Sequence, residues 1–305
     1  MPFSQGARTR LSYIPEVTYG TTPSATPVYV QIPFNTHSLD LQKQRVQSEM
    51  ITSDRMRSVD RHGNKSVSGD ITVEMRPADY DWLLEGALFG TFASDILNTG
   101  TTVKSYSIQD AALDITQFRT FEGVMVNTMS MSLAPNAITT ATFGLVGQDM
   151  VQAATAPAGS TYTAYSTNEP FDNFSGTVTE GGSAIAIVSS LDFTLNNQLS
   201  PTYVLGSSVT PQMQFGMSTL EGSMTIYYEN AAMITKFLNE TESSLSIVLD
   251  DRVAGKTYTL LMPRIKINGA AVPVSNPESR LITVPFVALR DSSTATQFRI
   301  TRTTV

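Results

Sequence analysis

Val67-Ser68-Gly69-Asp70-Ile71-Thr72-Val73-Glu74-Met75 decides the fold class. Val67, Gly69, Ile71, Val73 and Met75 fall on one face and Ser68, Asp70, Thr72 and Glu74 on the other. That period of two marks an antiparallel strand with one face on a core and one facing water. The chain writes the pattern again as Leu220-Glu221-Gly222-Ser223-Met224-Thr225-Ile226-Tyr227-Tyr228. Upstream of the first copy stands Ser38-Leu39-Asp40-Leu41 and upstream of the second Ser190-Leu191-Asp192-Phe193, each followed by a loop of unrelated composition. Leu39 precedes Gly69, and Leu191 precedes Gly222, by almost the same interval. A helix-like segment follows each strand, through Trp82 and Leu84 in the first copy and through Ile234 and Phe237 in the second. Two anchors that keep register across dissimilar loops indicate one structural unit carried twice.

Outward from the repeat, the expected organisation is an extended arm over 1–35, a first β domain over 36–152, a linker over 153–183, a second β domain over 184–291 and a polar tail over 292–305. Pro15, Pro23, Pro27 and Pro33 keep the arm from being a central strand. Its aromatic residues Tyr13, Tyr19, Tyr29 and Phe34 either pack on their own domain or reach a neighbour. The linker is rich in Ala, Thr, Ser, Pro and Gly. A helix is expected from Asp79 to Phe89, with Asp79, Asp81 and Glu85 complementing its positive end and Gly90 closing it. Strands follow around Tyr106, from Phe121 to Leu133 and from Thr140 to Gly147, with a turn at Pro135-Asn136. The second unit repeats the order: Ile185 to Leu195, Leu220 to Tyr228, a helix capped by Asn230, Leu245 to Leu249, Tyr258 to Met262, a turn at Asn268-Gly269, and Leu281 to Leu289. The fold class is all-β with one short helix per unit.

At 305 residues the chain has room for two domains, each with its own core. It has no cysteine, which removes disulfides, thiolate nucleophiles and cysteine-rich zinc sites and fits a reducing compartment. Met1-Pro2-Phe3-Ser4-Gln5 lacks the charge and hydropathy of a secretory leader, and no run approaches the roughly 18 apolar residues of a membrane span. The expectation is a soluble protein made in the cytoplasm, with no membrane partner. A net charge of −7 counts against gripping a phosphate backbone. Sparse charge on a β-rich surface leaves strand edges that seek partners.

Chemistry is hard to find. The two histidines, His37 and His62, lie in polar sequence and read as surface residues, with no Gly-x-Ser-x-Gly elbow to pair with. There is no His-Glu-x-x-His, no phosphate loop, no dinucleotide fingerprint and no calcium loop, so no metal or cofactor is expected. Asp79 with Asp81, and Asp250 with Asp251, are the nearest approach to paired catalytic acids, and helix-start and turn roles account for them. One segment departs in charge from the whole. Between Lys43 and Ser66, Lys43, Arg45, Arg55, Arg57, Arg61 and Lys65 outnumber Glu49, Asp54 and Asp60. It reads either as a solvated loop or as a contact element lying against an acidic neighbour.

The chain resembles major tail tube proteins of long-tailed, non-contractile bacteriophages. The resemblance rests on Glu16-Val17-Thr18-Tyr19-Gly20-Thr21-Thr22-Pro23, on the Ser38-Leu39 strand with its long polar loop, on Val67-Ser68-Gly69-Asp70-Ile71 with the helix after it, and on Phe121-Glu122-Gly123-Val124-Met125-Val126-Asn127-Thr128-Met129-Ser130. It covers the first unit well and the second through the repeat. It implies β-sandwich units with a flanking helix, whose strands join around a ring-shaped β-barrel lumen. It further implies rings that stack through a long loop and terminal arms, a tape-measure protein and tail-tip and terminator proteins as partners, and DNA passing through without specific binding. The site would be the virion tail, with assembly in the host cytoplasm.

Combined with the duplication, it implies three chains per ring in pseudo-sixfold symmetry, not an enzyme. On this reading the inter-ring contact is the charged loop (Lys43, Arg45, Glu49, Asp54, Arg55, Arg57, Asp60, Arg61, Lys65). The bore is lined by Ser68, Asp70, Thr72 and Glu74 and by Glu221, Ser223, Thr225 and Tyr227. The alternatives are another β-rich virion component, such as a terminator, decoration or adhesin protein, and a β-sandwich carbohydrate hydrolase.

Overall fold

The computed structural model describes residues 3–51, 53–252, 255–274 and 277–303, excepting the side chains of Phe174 and Ser175. Met1, Pro2, Thr52, Val253, Ala254, Ser275, Asn276, Thr304 and Val305, which fall in the expected arm, loop, second domain and tail, lie outside the described residues.

One antiparallel sheet runs through both units. Its strands lie in the order Asp40–Gln47, Asp60–Glu74, Thr140–Gly147, Gln117–Leu133, Val188–Asn196, Thr219–Tyr227, Leu281–Ala288 and the end of Thr257–Ile267. The first four belong to the first unit and the last four to the second, in the same internal order. The units are joined where Thr128, Met129, Ser130, Met131, Ser132 and Leu133 stand opposite Asn196, Leu195, Thr194, Phe193, Asp192 and Leu191.

A second layer packs behind each half. In the first unit it is Thr9–Pro15, Tyr106–Ala112, the opening half of Gln117–Leu133, and Asp149–Ala153. In the second it is Asp172–Glu180, Ser243–Asp250 and the opening half of Thr257–Ile267. The Gln117–Leu133 strand serves both layers by bending: Gly123 takes φ +66 and the register shifts between Val126 and Thr128. Between the layers lies one continuous apolar cluster that includes Ile71, Phe143, Phe193, Leu260 and Phe286.

Both expected helices form, but the first begins at Asp81, not at Asp79, and is closed by Phe89, not by Gly90. Asp81–Leu88 is nearly all buried and ends at Phe89 in the left-handed conformation. Ala232–Leu238 buries only Met233, and the Ala232 N–H donates to Asn230 Oδ1 at 2.9 Å.

Gly69 and Gly222 are required for one shared reason. A Cβ on Gly69, whose φ is +153, would lie 2.5 Å from the Ser38 carbonyl oxygen and 2.6 Å from Leu39; one on Gly222 would lie 2.6 Å from the Asp192 carbonyl oxygen and 3.0 Å from Phe193 Cβ. In each unit the first strand crosses so tightly that no side chain fits. This corrects the sequence alignment of the two copies. Asp40 opposes Ser68 and Leu41 opposes Val67, while Thr194 opposes Glu221 and Leu195 opposes Leu220. Leu39 therefore corresponds to Phe193, not Leu191, a slip of two residues that leaves every side chain on its expected face.

Other segments carry more structure than expected. The stretch expected as an arm supplies the Thr9–Pro15 strand, and its short Val28–Gln31 strand pairs in parallel with Thr161–Thr163 from the stretch expected as a linker. Tyr29 is fully buried, and Tyr13 stacks on Trp82 with ring centroids 3.8 Å apart, so both pack on their own unit. The Arg299–Arg302 strand in the expected tail bridges Thr257–Ile267 and Ile96–Asn98. Asn268-Gly269 is not a hairpin turn: the chain runs on alongside Leu281–Ala288, where Ala271 bridges Thr283.

Candidate functional site

Alternation in the shared sheet turns one face to the core and the other to solvent. Across the solvent face run rows of short polar side chains. Thr72, Thr142, Ser130, Thr194 and Glu221 stand successively opposite one another, and so do Glu74, Thr140, Ser132, Asp192 and Ser223. The Thr72 and Thr142 hydroxyls are 3.0 Å apart, and the Glu74 carboxylate accepts a bond from Asn35 at 3.2 Å. Ser68, Asp70, Thr225 and Tyr227 occupy the same face. Asp70, Glu74, Asp192 and Glu221 put four carboxylates on this face, and the row through Glu221 runs on through Val287 to Lys266, whose amine meets Glu240 at 2.6 Å. The Asp81–Leu88 helix lies on the other side, its Gly86 packed against Val126 and Tyr106. Every residue expected to face a bore is thus on one polar face, away from the helix.

The charged loop is a β-hairpin rather than an irregular loop. Asp40–Gln47 and Asp60–Glu74 extend beyond the sheet, pairing Lys43 with Lys65 and Val46 with Arg61. Arg45 bonds Asp60 and holds its carboxyl below the ordinary value, chiefly through that hydrogen bond. Arg57 donates to Gln47, and the Met56 N–H donates to Asp54 at 3.1 Å. Glu49 and Arg55 are exposed near the tip beside Met50, Ile51 and Met56, three apolar side chains also left in solvent. Lys65, at the base, pairs with Asp149 at 2.9 Å.

The corresponding segment of the second unit folds against that base. The Lys65 N–H donates to the Ser208 carbonyl at 2.7 Å, and the Tyr203 hydroxyl donates to the Lys65 carbonyl at 3.1 Å. Leu199 and Met213 from this segment cover Met125. No sequence signal pointed to this packing, because the segment is polar and lacks periodicity.

The carboxylates best placed for chemistry are held by structural bonds. Glu16 and Glu85 line one cleft with Tyr13, Tyr19 and Trp82. Glu16 accepts from the N–H groups of Gly20 and Gly123 and from the hydroxyls of Ser105 and Ser107, all within 2.9 Å. Glu85 accepts from Lys104 at 2.5 Å and the Phe92 N–H at 2.9 Å. Asp79 is not a helix-start residue; it accepts from the Ser166 N–H and hydroxyl. Asp81 receives Tyr258 and Arg302.

His62 is exposed, but His37 is not the surface residue expected. It lies edge-on to Phe34 and 3.9 Å from Asp110, with its Nδ1 buried and without a partner. Burial holds it below the ordinary imidazole value, opposed by Asp110 and assisted by Arg119. A cleft lined by Leu133, Val178, Ile185, Leu191 and Ile247 has no titratable side chain in its wall. Among the described residues no cluster of His, Asp and Glu could hold a metal, and no helix is long and apolar enough to cross a membrane.

What this geometry offers is surface for assembly: a bonded polar face, a projecting hairpin and open strand edges. The family model for phage tail tube protein matches residues 6–288. The chain belongs to the phage tail tube protein family. It is a structural tail tube subunit, a component of the virion tail that self-assembles into a tube. No curated protein matches it.

Proposed function

We propose that this tail tube protein is the major tube subunit of a long, non-contractile tail. Three chains close each ring, each contributing two sandwich units, so that the ring has pseudo-sixfold symmetry and DNA leaves through its bore. The reading is carried by the continuous sheet. Two units already lie side by side in one chain, strand order repeated, with a common polar face. Closing such a sheet removes its edges and wraps its faces around an axis. Ser68, Asp70, Thr72, Glu74, Glu221, Ser223, Thr225 and Tyr227 line the bore, where the Asp70, Glu74 and Glu221 carboxylates repel phosphate and let DNA slide.

The Lys43 to Lys65 hairpin, with its local positive charge and exposed apolar tip, makes the contact to the next ring. The division into a first domain with 36–152 as its body and a second with 184–291 as its body stands in the same proposal, with the Thr9–Pro15 strand added to the first and the Asp172–Glu180 and Arg299–Arg302 strands added to the second. The role is architectural and not catalytic. Its partners are further copies, a tape-measure protein and the proteins that cap the tube at tip and terminus, and it assembles in the host cytoplasm. Electron microscopy of concentrated protein tests the proposal. Stacked rings of three chains, with six similar units lining the bore, are expected. Rings of six chains with the second unit outside the wall would overturn it.

A further inference from the structure

The seam inside the chain is a template for the seam between chains. Residues 128–133 of the Gln117–Leu133 strand have a neighbour on both sides, Thr140–Gly147 on one and Val188–Asn196 on the other. Their counterparts in the second unit follow from register. Gly69 opposes Leu145 and Gly222 opposes Phe286, so Leu145 corresponds to Phe286 and, three residues earlier, Thr142 corresponds to Thr283. Thr142 opposes Ser130 and Thr283 opposes Ala271, so 128–133 corresponds to 269–274. That second-unit segment has a neighbouring strand on one side only among the described residues.

Two independent features show that the open sides match. Ala271 exchanges both its main-chain bonds with Thr283, at 3.2 and 3.0 Å. Alternation in an antiparallel ladder then turns the N–H and C=O groups of Ala270, Val272 and Val274 outward. Pro273 faces inward, so its missing N–H removes nothing from the open edge. At the other end of the sheet the Ser38 N–H bonds the Asp70 carbonyl and the Asp70 N–H bonds the Ser38 hydroxyl, both at 2.9 Å; the ladder resumes at Asp40, opposite Ser68, and its alternation turns the main-chain groups of Leu41 outward.

Both edges are meanwhile occupied by exposed side chains. Asp40 Oδ1 accepts the Leu41 N–H at 2.9 Å, and the Arg280 guanidinium donates to the Val272 carbonyl at 2.9 Å. In the internal seam Met131 opposes Phe193 and Met129 opposes Leu195. By correspondence Val272 meets Leu39 and Ala270 meets Leu41.

We infer that residues 269–274 of one chain pair antiparallel with residues 38–41 of a second copy, Val272 opposite Leu39 and Ala270 opposite Leu41. This rests on the ring proposed above and adds its register. The rings then alternate two kinds of seam: an internal one built on methionine and phenylalanine, and an external one built on smaller side chains.

The absence of cysteine makes cross-linking a clean test. In this register Asp40 and Ala271 form a non-hydrogen-bonded pair, the closer of the two antiparallel spacings. Protein carrying Asp40→Cys and Ala271→Cys is to be assembled, imaged for rings, oxidised and run on a denaturing gel without reductant. Covalent dimers and trimers are expected, while Gln42→Cys with Ala271→Cys, shifted by two residues, stays monomeric. Ser130→Cys with Thr194→Cys should close within one chain and report that the sheet has folded. Rings of the Asp40→Cys, Ala271→Cys protein that fail to link, or linking seen only in the shifted pair, would overturn the register and leave the ring standing. A folded protein that forms no rings would overturn both.

Discussion

The hydroxyl of Tyr258, in the second unit, donates to the carboxylate of Asp81, at the start of the first unit's helix, and accepts the Ala78 N–H at 2.9 Å. Arg302 joins the same carboxylate and also bonds Asp95 at 2.9 Å. Burial is the largest influence on both partners, raising the Asp81 carboxyl and the Tyr258 phenol above their ordinary values. The two units are therefore locked by side chains as well as by the sheet. Tyr258→Phe keeps the ring and removes the bond to a charged group, which costs about 1.5–3 kcal/mol. Urea unfolding should show the lower midpoint with an unchanged slope; an unmoved midpoint would mean the lock carries no stability.

Phe193 is 2 % exposed, sits on the internal seam and meets Phe298 edge-on at 5.7 Å between centroids. Phe193→Ala should cost about 3–5 kcal/mol. Because the apolar cluster is continuous across both units, calorimetry should still record one transition, displaced downward. Two separated transitions would mean that the halves fold as independent domains.

Gly69→Ala and Gly222→Ala each force a Cβ into backbone less than 3 Å away. About 1–3 kcal/mol is expected at each site, and more at Gly69, where φ is also unfavourable for a side chain. Thermal melts of the two variants check this. Equal stability to the parent would show that the first strand can move aside.

His37 sets a pH dependence whose sign follows from its depressed value. The folded imidazole titrates below the unfolded value of 6.5, because burial favours its neutral form. Phe34, Asp110 and Arg119 face it, and Asp110 opposes the shift. Its contribution is fully present above the unfolded value and is lost as pH falls through the folded one. His37→Gln should therefore unfold with a flatter dependence between about pH 7 and pH 5. Parallel curves for variant and parent would assign the acid sensitivity to other groups.

The strands that were legible in the sequence are those with one wet face and one dry. Val67 to Met75 and Thr219–Tyr227 alternate because solvent meets one side only, and the Asp81–Leu88 helix shows itself through Trp82, Leu83, Leu84 and Leu88. The hairpin from Lys43 to Lys65 was read as a loop because both its faces are wet, which erases alternation. Proline misled in the N-terminal stretch: Pro15 ends one strand, while Pro27 and Pro33 merely flank another, so none interrupts a ladder. The slip between the two copies was invisible because shifting by two preserves facing; only the contact of Gly69 with Leu39 and of Gly222 with Phe193 reveals it. The polar face was legible residue by residue. Its continuity was not, since the pairing of Ser130 with Thr194 is a fact of topology.

The Leu133–Leu191 seam has a consequence for how tubes nucleate. In the proposed ring, half the seams are tethered by the segment between these residues and never have to be found by diffusion. Their effective concentration is set by the chain and not by the amount of protein, on the order of millimolar for flexibly linked partners. Closing a ring then immobilises three free bodies where separate units would require six, and each body gives up its own translational freedom. Such a protein can hold weak, adaptable external seams and still polymerise at low abundance, so the duplication acts on assembly kinetics before it acts on shape.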